Sequence, residues 1–389
     1  MPGFEVFGEE ERNAINEIFD LNGGVMFAHG FDALRKGVYR VREYEAAYAH
    51  KMGVQHAQAV SSGTAALAVG LAALGVAPGD EVITQSHTFV ATVEAIILLG
   101  AKPVIVDVDE SLNMAPQCLE QAISSHTKAI IPVHMLGVPA KMDEILSIAR
   151  RFDVPIMEDS AQALGGSYKG RKLGTLGQVG AYSTDAGKTL NTGEGGMVVT
   201  DDKALFDRAR AYHDHGHEYS KALGRGQEGA LGFGFNFRMT ELQGAIGLAQ
   251  LRKLDFILAR QRENKRKLKA KIGNLPIRFR EVPDVDGEIG DTLIFSLESA
   301  DLACAFVAEM KKEGLGTKNI PDAMNWHFAR NWTHMATPLQ IAPEAFKTQW
   351  QASDSLLSRA IALPIMVKMD DERIETIASK LHAIAERVV

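Results

Sequence analysis

The sequence predicts an α/β protein in two parts. Residues 1–255 form a large domain with a mostly parallel sheet sandwiched between helices, and residues 256–389 form a small α+β domain. Three observations lead there. A chain of 389 residues is longer than one core usually fills. From about residue 50, short β-branched runs alternate with helical patterns. Those runs are apolar along their whole length rather than at every second residue, so helices must cover both faces of the sheet.

The elements follow in order. "HAQAV" (56–60) reads as a buried strand that passes through "SSGTAAL" (61–67) into a buried helix. Further strands are predicted at 80–84, 102–109, 128–134, 154–159, 178–183 and 196–201, separated by helices such as "AKMDEILSIARRFD" (140–153). From Met239 the pattern changes to one long helix, apolar and small-residued at first and densely charged later. It carries the chain out of the large domain near residue 255, and its apolar start is expected to meet a partner subunit. "DTLIFSLES" (291–299), "DLACAFVAEMKKEG" (301–314) and the closing "DDERIETIASKLHAIAERVV" supply the small domain.

Charge and composition remove several function classes. A formal net charge of −7 and an acidic balance argue against nucleic acid as a partner, because phosphate binding wants a basic surface. The two cysteines, Cys118 and Cys304, suit a reducing compartment and leave no cysteine-based zinc site. No basic and apolar leader opens the sequence, and the longest uncharged stretch (56–79) is broken by Ser61, Ser62, Gly63 and Pro78. The expectation is a cytoplasmic protein with no membrane span.

Three stretches carry chemistry. After Val60, small polar residues and Gly63 open a helix, whose free amides and dipole suit an anion, although an ordinary helix cap reads the same way. Glu158 and Asp159 close an apolar strand, where α/β sheets place ligand groups, and Gln162 follows within reach of the same ligand. The plainer reading of that pair is an acidic cap. In "DAGKTLNTGEGG" (185–196), Lys188 lies between Ser183, at a strand end, and glycines that let something bulky lie against the main chain. A lysine partly desolvated there becomes a nucleophile toward carbonyls, whereas a lone lysine is ordinarily a solvated charge. Together and in this order, the three are the parts needed to hold pyridoxal 5′-phosphate: a phosphate cradle, a carboxylate for the ring nitrogen and an amine for the aldehyde.

The same stretches, with "SHTFVATVEAI" (86–96), "MEDSAQALGGSYKGRKLGTLG" (157–177), "KTLNTGEGGMVVTDD" (188–202) and "GFGFNFRMTELQGAIGLAQLRKLD" (232–255), resemble the sugar aminotransferase family of fold-type I pyridoxal-phosphate enzymes. The resemblance runs from about residue 50 to 260. It implies that Lys188 is the Schiff-base lysine and the acid/base for proton transfer, and that Asp159 faces the pyridine nitrogen. It places Gln162 on the phenolic oxygen, Phe89 against the ring, and Gly63, Thr64 and Ser183 on the phosphate. Asn236 would reach the phosphate of the neighbouring subunit's cofactor, which implies a homodimer with shared active sites. Family members aminate keto-sugars, usually nucleotide-linked, with glutamate as the usual donor.

Departures from the family pattern narrow the substrate. This chain reads "STDAGKT" where many members place an aromatic residue, and "NWHFARNWTHM" (325–335) where they carry a proline-and-histidine segment. With "MPGFEVFG" (1–8) and "HDHGHEY" (213–219), these features are similar to the branch of 8-amino-3,8-dideoxy-octulosonate transaminases, which aminate a free eight-carbon sugar acid destined for lipopolysaccharide. On that branch Trp326, His327 and Arg330, with Trp332 and His334, are expected to stack on a sugar and pair one carboxylate; a place in the small-domain core is the other reading. His213, His215 and His217 alternate as metal ligands sometimes do, but no carboxylate or cysteine completes a site, and no metal is expected. Three competing functions remain: amination of a nucleotide-linked 3- or 4-keto-6-deoxy sugar, the related 3-dehydratase chemistry, and a ligand-sensing domain without catalysis. The presence of Lys188, where the dehydratases carry histidine, disfavours the second; the lack of a basic helix-turn-helix segment disfavours the third.

Overall fold

The computed structural model describes every residue except 1, 22, 221 and 224. The predicted strands of the large sheet form as β1 (His56–Val60), β2 (Glu81–Gln85), β3 (Lys102–Val106), β4 (Thr127–Ile131), β5 (Met157–Asp159), β6 (Val179–Ser183) and β7 (Gly196–Thr200). A three-stranded ladder, β3-β2-β4, and a four-stranded ladder, β5-β6-β7-β1, are joined by parallel bridges from Ile130 to Ile156 and from Val133 to Asp159. Pairings are parallel except at β7, which is antiparallel to both neighbours. The loop 184–195, which connects β6 to β7, holds no helix to cross the sheet, so the chain returns beside the strand it has just left.

Helices α1 (Arg40–Met52), α2 (Gly63–Ala73), α3 (Ala91–Leu98), α4 (Met142–Phe152) and α5 (Lys203–Tyr212) cover the sheet. Nearly every residue of α2 is buried, and its small side chains let it lie close to the strands: a Cβ on Gly70 would stand 2.6 Å from Met157 Sδ. α4 instead buries one stripe, Met142, Ile145, Ile148 and Ala149, and leaves charged residues outside.

The long helix α6 (Glu241–Lys271) starts at a capping box between Thr240 and Gln243 and runs without a break through the expected boundary at residue 255. Its small-residued start packs within the chain. A Cβ on Gly247 would meet the Tyr44 ring of α1 at 2.7 Å, and one on Gly244 would meet the Val41 backbone at 2.7 Å. That apolar face was expected to meet a partner subunit, but α1 covers it. Beyond α6, an antiparallel sheet of β8 (Arg278–Phe279), β9 (Thr292–Ser296) and β10 (Ala360–Pro364) packs with α7 (Ala300–Lys312) and α8 (Asp371–Val388) around Phe295, Phe306, Ile361 and Leu381. Residues 328–357 pack back on the large sheet instead, where Phe328, Trp332 and Phe346 meet Val90, Val93 and Val133.

Candidate active site

A cleft of about 440 Å³ opens where β5 and β6 end and α2 begins, and residues Lys318, Asn319 and His327 wall its far side. Strand alternation sorts the two acids at the end of β5. Glu158 turns away into the protein, where it accepts the amides of Gly174, Leu176 and Gly177 and pairs with His134 Nε2 at 2.9 Å. His134 Nδ1 accepts the Ala140 amide, so the His134 proton sits on Nε2, facing Glu158. This carboxylate is structural.

Asp159 turns into the cleft. It is 4% exposed, accepts Thr92 Oγ1 at 2.8 Å and the Ala161 amide at 3.1 Å, and has no cation within ion-pair distance among the described residues. Burial pushes its pKa up, only partly offset by those two hydrogen bonds. A buried carboxylate without a counter-charge is costly, and a protonated ring nitrogen would supply one. Gln162 also lines the cleft; its Oε1 is engaged by the Leu136 amide at 3.1 Å, which leaves its NH₂ to donate. Phe89 is 41% exposed at the cleft, an aromatic face available for a ring to lie on.

At the other end, Ser62 caps α2 through the Ala65 amide at 3.1 Å, while the Gly63 and Thr64 amides have no partner among the described residues. Gly63 is required here because a Cβ would stand 2.6 Å from Ser183 Cβ, and that closeness brings the helix end and the Ser183 hydroxyl to one anion position. Lys188 rises from a loop pinned by Thr184 to Gly195 and Ala186 to Gly193 backbone bonds, both 2.9 Å. Its Nζ lies 3.7 Å from Asp185 Oδ2, and the Gly3 amide donates to its carbonyl at 3.1 Å. An anion cradle, an unpaired buried acid, an open aromatic face and a tethered lysine around one cleft are groups that fit pyridoxal 5′-phosphate.

Comparison with known proteins agrees. The DegT/DnrJ/EryC1/StrS aminotransferase family matches over residues 30–382. The chain belongs to that family. An aminotransferase from Psychrobacter cryohalolentis superposes with a TM-score of 0.85 at 25% identity, over 98% of both chains. DesV of S. venezuelae, solved with a ketimine intermediate, gives 0.83 at 28% identity over 98% of this chain and 95% of that one. At 22% identity, E. coli GDP-4-keto-6-deoxy-D-mannose-3-dehydratase with bound hydrated PLP shares the fold, with a TM-score of 0.83 over 97% of each chain. The protein is therefore a fold-type I sugar aminotransferase, and its cofactor is pyridoxal 5′-phosphate.

Within this aminotransferase the cleft gathers Gly63, Thr64, Phe89, Asp159, Gln162, Ser183, Lys188 and His327 from distant parts of the sequence. The rest of the 325–335 expectation needs correction. Trp332 is fully buried among apolar neighbours. Arg330 turns away to an ion pair with Asp354 and to the Lys347 carbonyl. Trp326, 55% exposed, stacks edge-on with His334 outside the cleft. The segment is short-helical, so its side chains fan out and cannot all point one way. Asn236 bridges to Asp214 and does not line this protomer's cleft. The alternating histidines diverge: His213 bonds to Gln58 and the Arg210 carbonyl, while His217 pairs with Glu228 at 2.8 Å.

Two features had no sequence signal strong enough to single them out. Lys318 enters the cleft from the small sheet, in ion contact with Asp291. Asp214, wholly buried, collects His29, Tyr219, Arg225 and Arg238. Burial pushes the Asp214 pKa up, but those donors outweigh it and hold the carboxyl far below the usual range.

Proposed function

We propose that this aminotransferase moves an amino group from glutamate to the aldehyde carbon of 8-oxo-3,8-dideoxy-octulosonate, a free sugar acid used in lipopolysaccharide, and works as a cytoplasmic homodimer. The observation that carries the substrate reading is the scarcity of cations. Among the described residues lining the cleft, lysine and arginine are represented by Lys188 and Lys318 alone. One is committed to the cofactor; the other, in contact with Asp291, has donors left for a single carboxylate and too few for a nucleotide diphosphate.

Each residue has a defined task in this reading. When bound, the cofactor serves as the electron sink for the carbon that loses its proton. Lys188 Nζ takes that proton and returns it to the other end of the transfer, moving over a short arc because its loop is pinned at both ends. Asp159 holds a proton on the ring nitrogen through a charge-assisted hydrogen bond. Gln162 donates from its NH₂ to the phenolic oxygen, and Phe89 keeps water off one face of the ring. The Gly63 and Thr64 amides and Ser183 Oγ hold the phosphate. His327, whose Nδ1–H donates to the Ala323 carbonyl at 2.8 Å, keeps Nε2 as an acceptor for a sugar hydroxyl. The dimer reading rests on Leu231, Phe233 and Phe235, 58%, 77% and 45% exposed, an apolar strip leading to Asn236 that its own chain leaves uncovered. We retain the division into two domains near residue 255.

The test is competition. The amine-loaded enzyme is offered the octulosonate aldehyde beside a set of nucleotide-linked 3- and 4-keto-sugars. Discharge of the amine by the free sugar acid is expected; discharge by the nucleotide-linked compounds alone would overturn the substrate assignment. Sedimentation that finds an active monomer at assay concentration would overturn the shared sites.

A further inference from the structure

We infer that Lys318 is the residue that selects for a carboxylate in this cleft, binding the acid group of the amino acceptor and, in the other half-reaction, that of the donor. The inference deepens the proposed function and rests on its reading of the cleft, but it depends on the chemistry of the ligand rather than on one sugar.

The mounting of Lys318 is rigid. Its amide donates to the Ala362 carbonyl of β10 at 2.8 Å, the Ile320 amide donates to the Lys318 carbonyl at 2.8 Å, and the Ala362 amide donates to the Ile320 carbonyl at 3.1 Å. The segment is thus stitched to the edge of the small sheet, and the side chain, 14% exposed, reaches the cleft from a fixed base. Contact with Asp291 fixes the ammonium but uses only part of its three donors. Asp291 accepts Thr292 Oγ1 at 2.8 Å as well, so it is itself held in place.

Neighbouring cations share the Asp291 charge with Lys318. Lys265 pairs with Glu288, and Arg280 bonds the Ser111 and Met135 carbonyls and Asn113 with no carboxylate in ion-pair distance among the described residues. Lys265 and Arg280 both feel the Asp291 charge, so Lys318 does not carry Asp291 alone. Asp109 acts on Arg280 as well, and Asp291 lines the cleft beside Lys318. A substrate carboxylate would take the free donors of the Lys318 ammonium, in the cleft that also holds Lys188.

The experiment uses the holoenzyme and its Lys318→Met and Lys318→Arg variants. Binding of glutarate, a dicarboxylate that cannot react, is measured by calorimetry, with the cofactor absorbance and thermal melting as controls for an intact site. Lys318→Met is expected to weaken glutarate about 10–100-fold, the range for a hydrogen bond to a charged group, and Lys318→Arg to recover most of the loss. Steady-state kinetics should show KM for the carboxylated acceptor rising by a similar factor with kcat changed little. The wild type should prefer a sugar acid to its methyl ester, and Lys318→Met should not. Unchanged glutarate binding in Lys318→Met, or an unchanged preference of acid over ester, would overturn the inference. If the octulosonate fails as acceptor while glutarate binding still tracks Lys318, the sugar assignment falls and the carboxylate anchor stands.

Discussion

The two walls of the cleft are built differently. The wall proposed to hold the cofactor is made of strand ends and a helix start: Asp159 ends β5, Ser183 ends β6 and Gly63 opens α2, so backbone hydrogen bonds across the sheet set the distances between them. The facing wall is made of loop residues, Lys318, Asn319 and His327, mounted on the edge of the small sheet and on a short helical turn. A position fixed by a sheet is reproduced in every protein with that sheet, whereas a loop can change its side chains without disturbing the core. On the proposed reading the first wall serves the cofactor and the second the substrate.

The largest effect should come from the first wall. Lys188→Ala is expected to abolish turnover while leaving the fold, since among the described residues the Lys188 ammonium is anchored only by its 3.7 Å approach to Asp185. Borohydride treatment of the wild type should fix the cofactor to the peptide that holds Lys188, and the variant should show no such label. Normal activity in Lys188→Ala would remove the contrast between the walls altogether.

Asp159→Asn should come next. An amide there still accepts from Thr92 and Ala161 in shape but cannot hold a proton on the ring nitrogen as a carboxylate does. The rate of proton transfer, read in single-turnover kinetics, should fall on the order of 10²–10⁴-fold. Cofactor affinity should fall less. A retained rate would reduce Asp159 to the helix-cap role.

How much of this was legible depends on which wall is asked about. Asp159, Gln162, Ser183 and Lys188 were readable because each sits at a fixed offset from an apolar run, and the run itself announces the strand. His327 was readable only as one member of a mixed aromatic segment. Its neighbours Trp332 and Arg330 share its composition, but turns of short helix send one into the core and the other to Asp354. Lys318 was invisible: a lysine seven residues before that segment has no local pattern, and only the pairing of 318–320 with β10 brings it to the cleft. The apolar start of α6 was placed on a helix, and part of the face assigned to a partner proved to pack on α1, because composition says that a face is covered without saying by what. Asp214 was hidden for the same reason, its partners His29, Arg225 and Arg238 being spread along the chain.

Asp214 lies in neither wall, and its replacement sharpens the contrast by acting first on stability. Asp214→Asn leaves Arg225, Arg238 and His29 without their shared carboxylate. Removing one partner of such a buried cluster costs about 3–5 kcal/mol. Chemical denaturation should register that loss, while the cofactor spectrum of the protein that remains folded should not change.

The smallest effect is predicted for His327, on the wall that selects. Burial lowers its pKa, its bond to the Ala323 carbonyl works the other way, and the nearby charges of Lys188 and Lys318 add to the lowering. It therefore stays neutral at neutral pH, with Nδ1–H committed to Ala323 and the Nε2 lone pair free to accept a substrate hydroxyl. Losing one neutral hydrogen bond costs about 0.5–1.5 kcal/mol, so His327→Ala should raise KM for the sugar about 2- to 12-fold and leave kcat largely unchanged. The pH dependence gives the sign a second check. A histidine whose folded pKa is depressed favours the folded, acceptor-bearing state above its ordinary pKa and loses that advantage as pH falls through the lowered value. In the wild type, KM for the acceptor should hold steady as pH falls past 6.5, the ordinary histidine value, and rise only at more acid pH; in His327→Ala that acid rise should be absent. A wild-type KM that already climbs at pH 6.5, or an acid limb that survives in the variant, would mean that Nε2 does not meet the substrate and that Lys318 does the selecting without it.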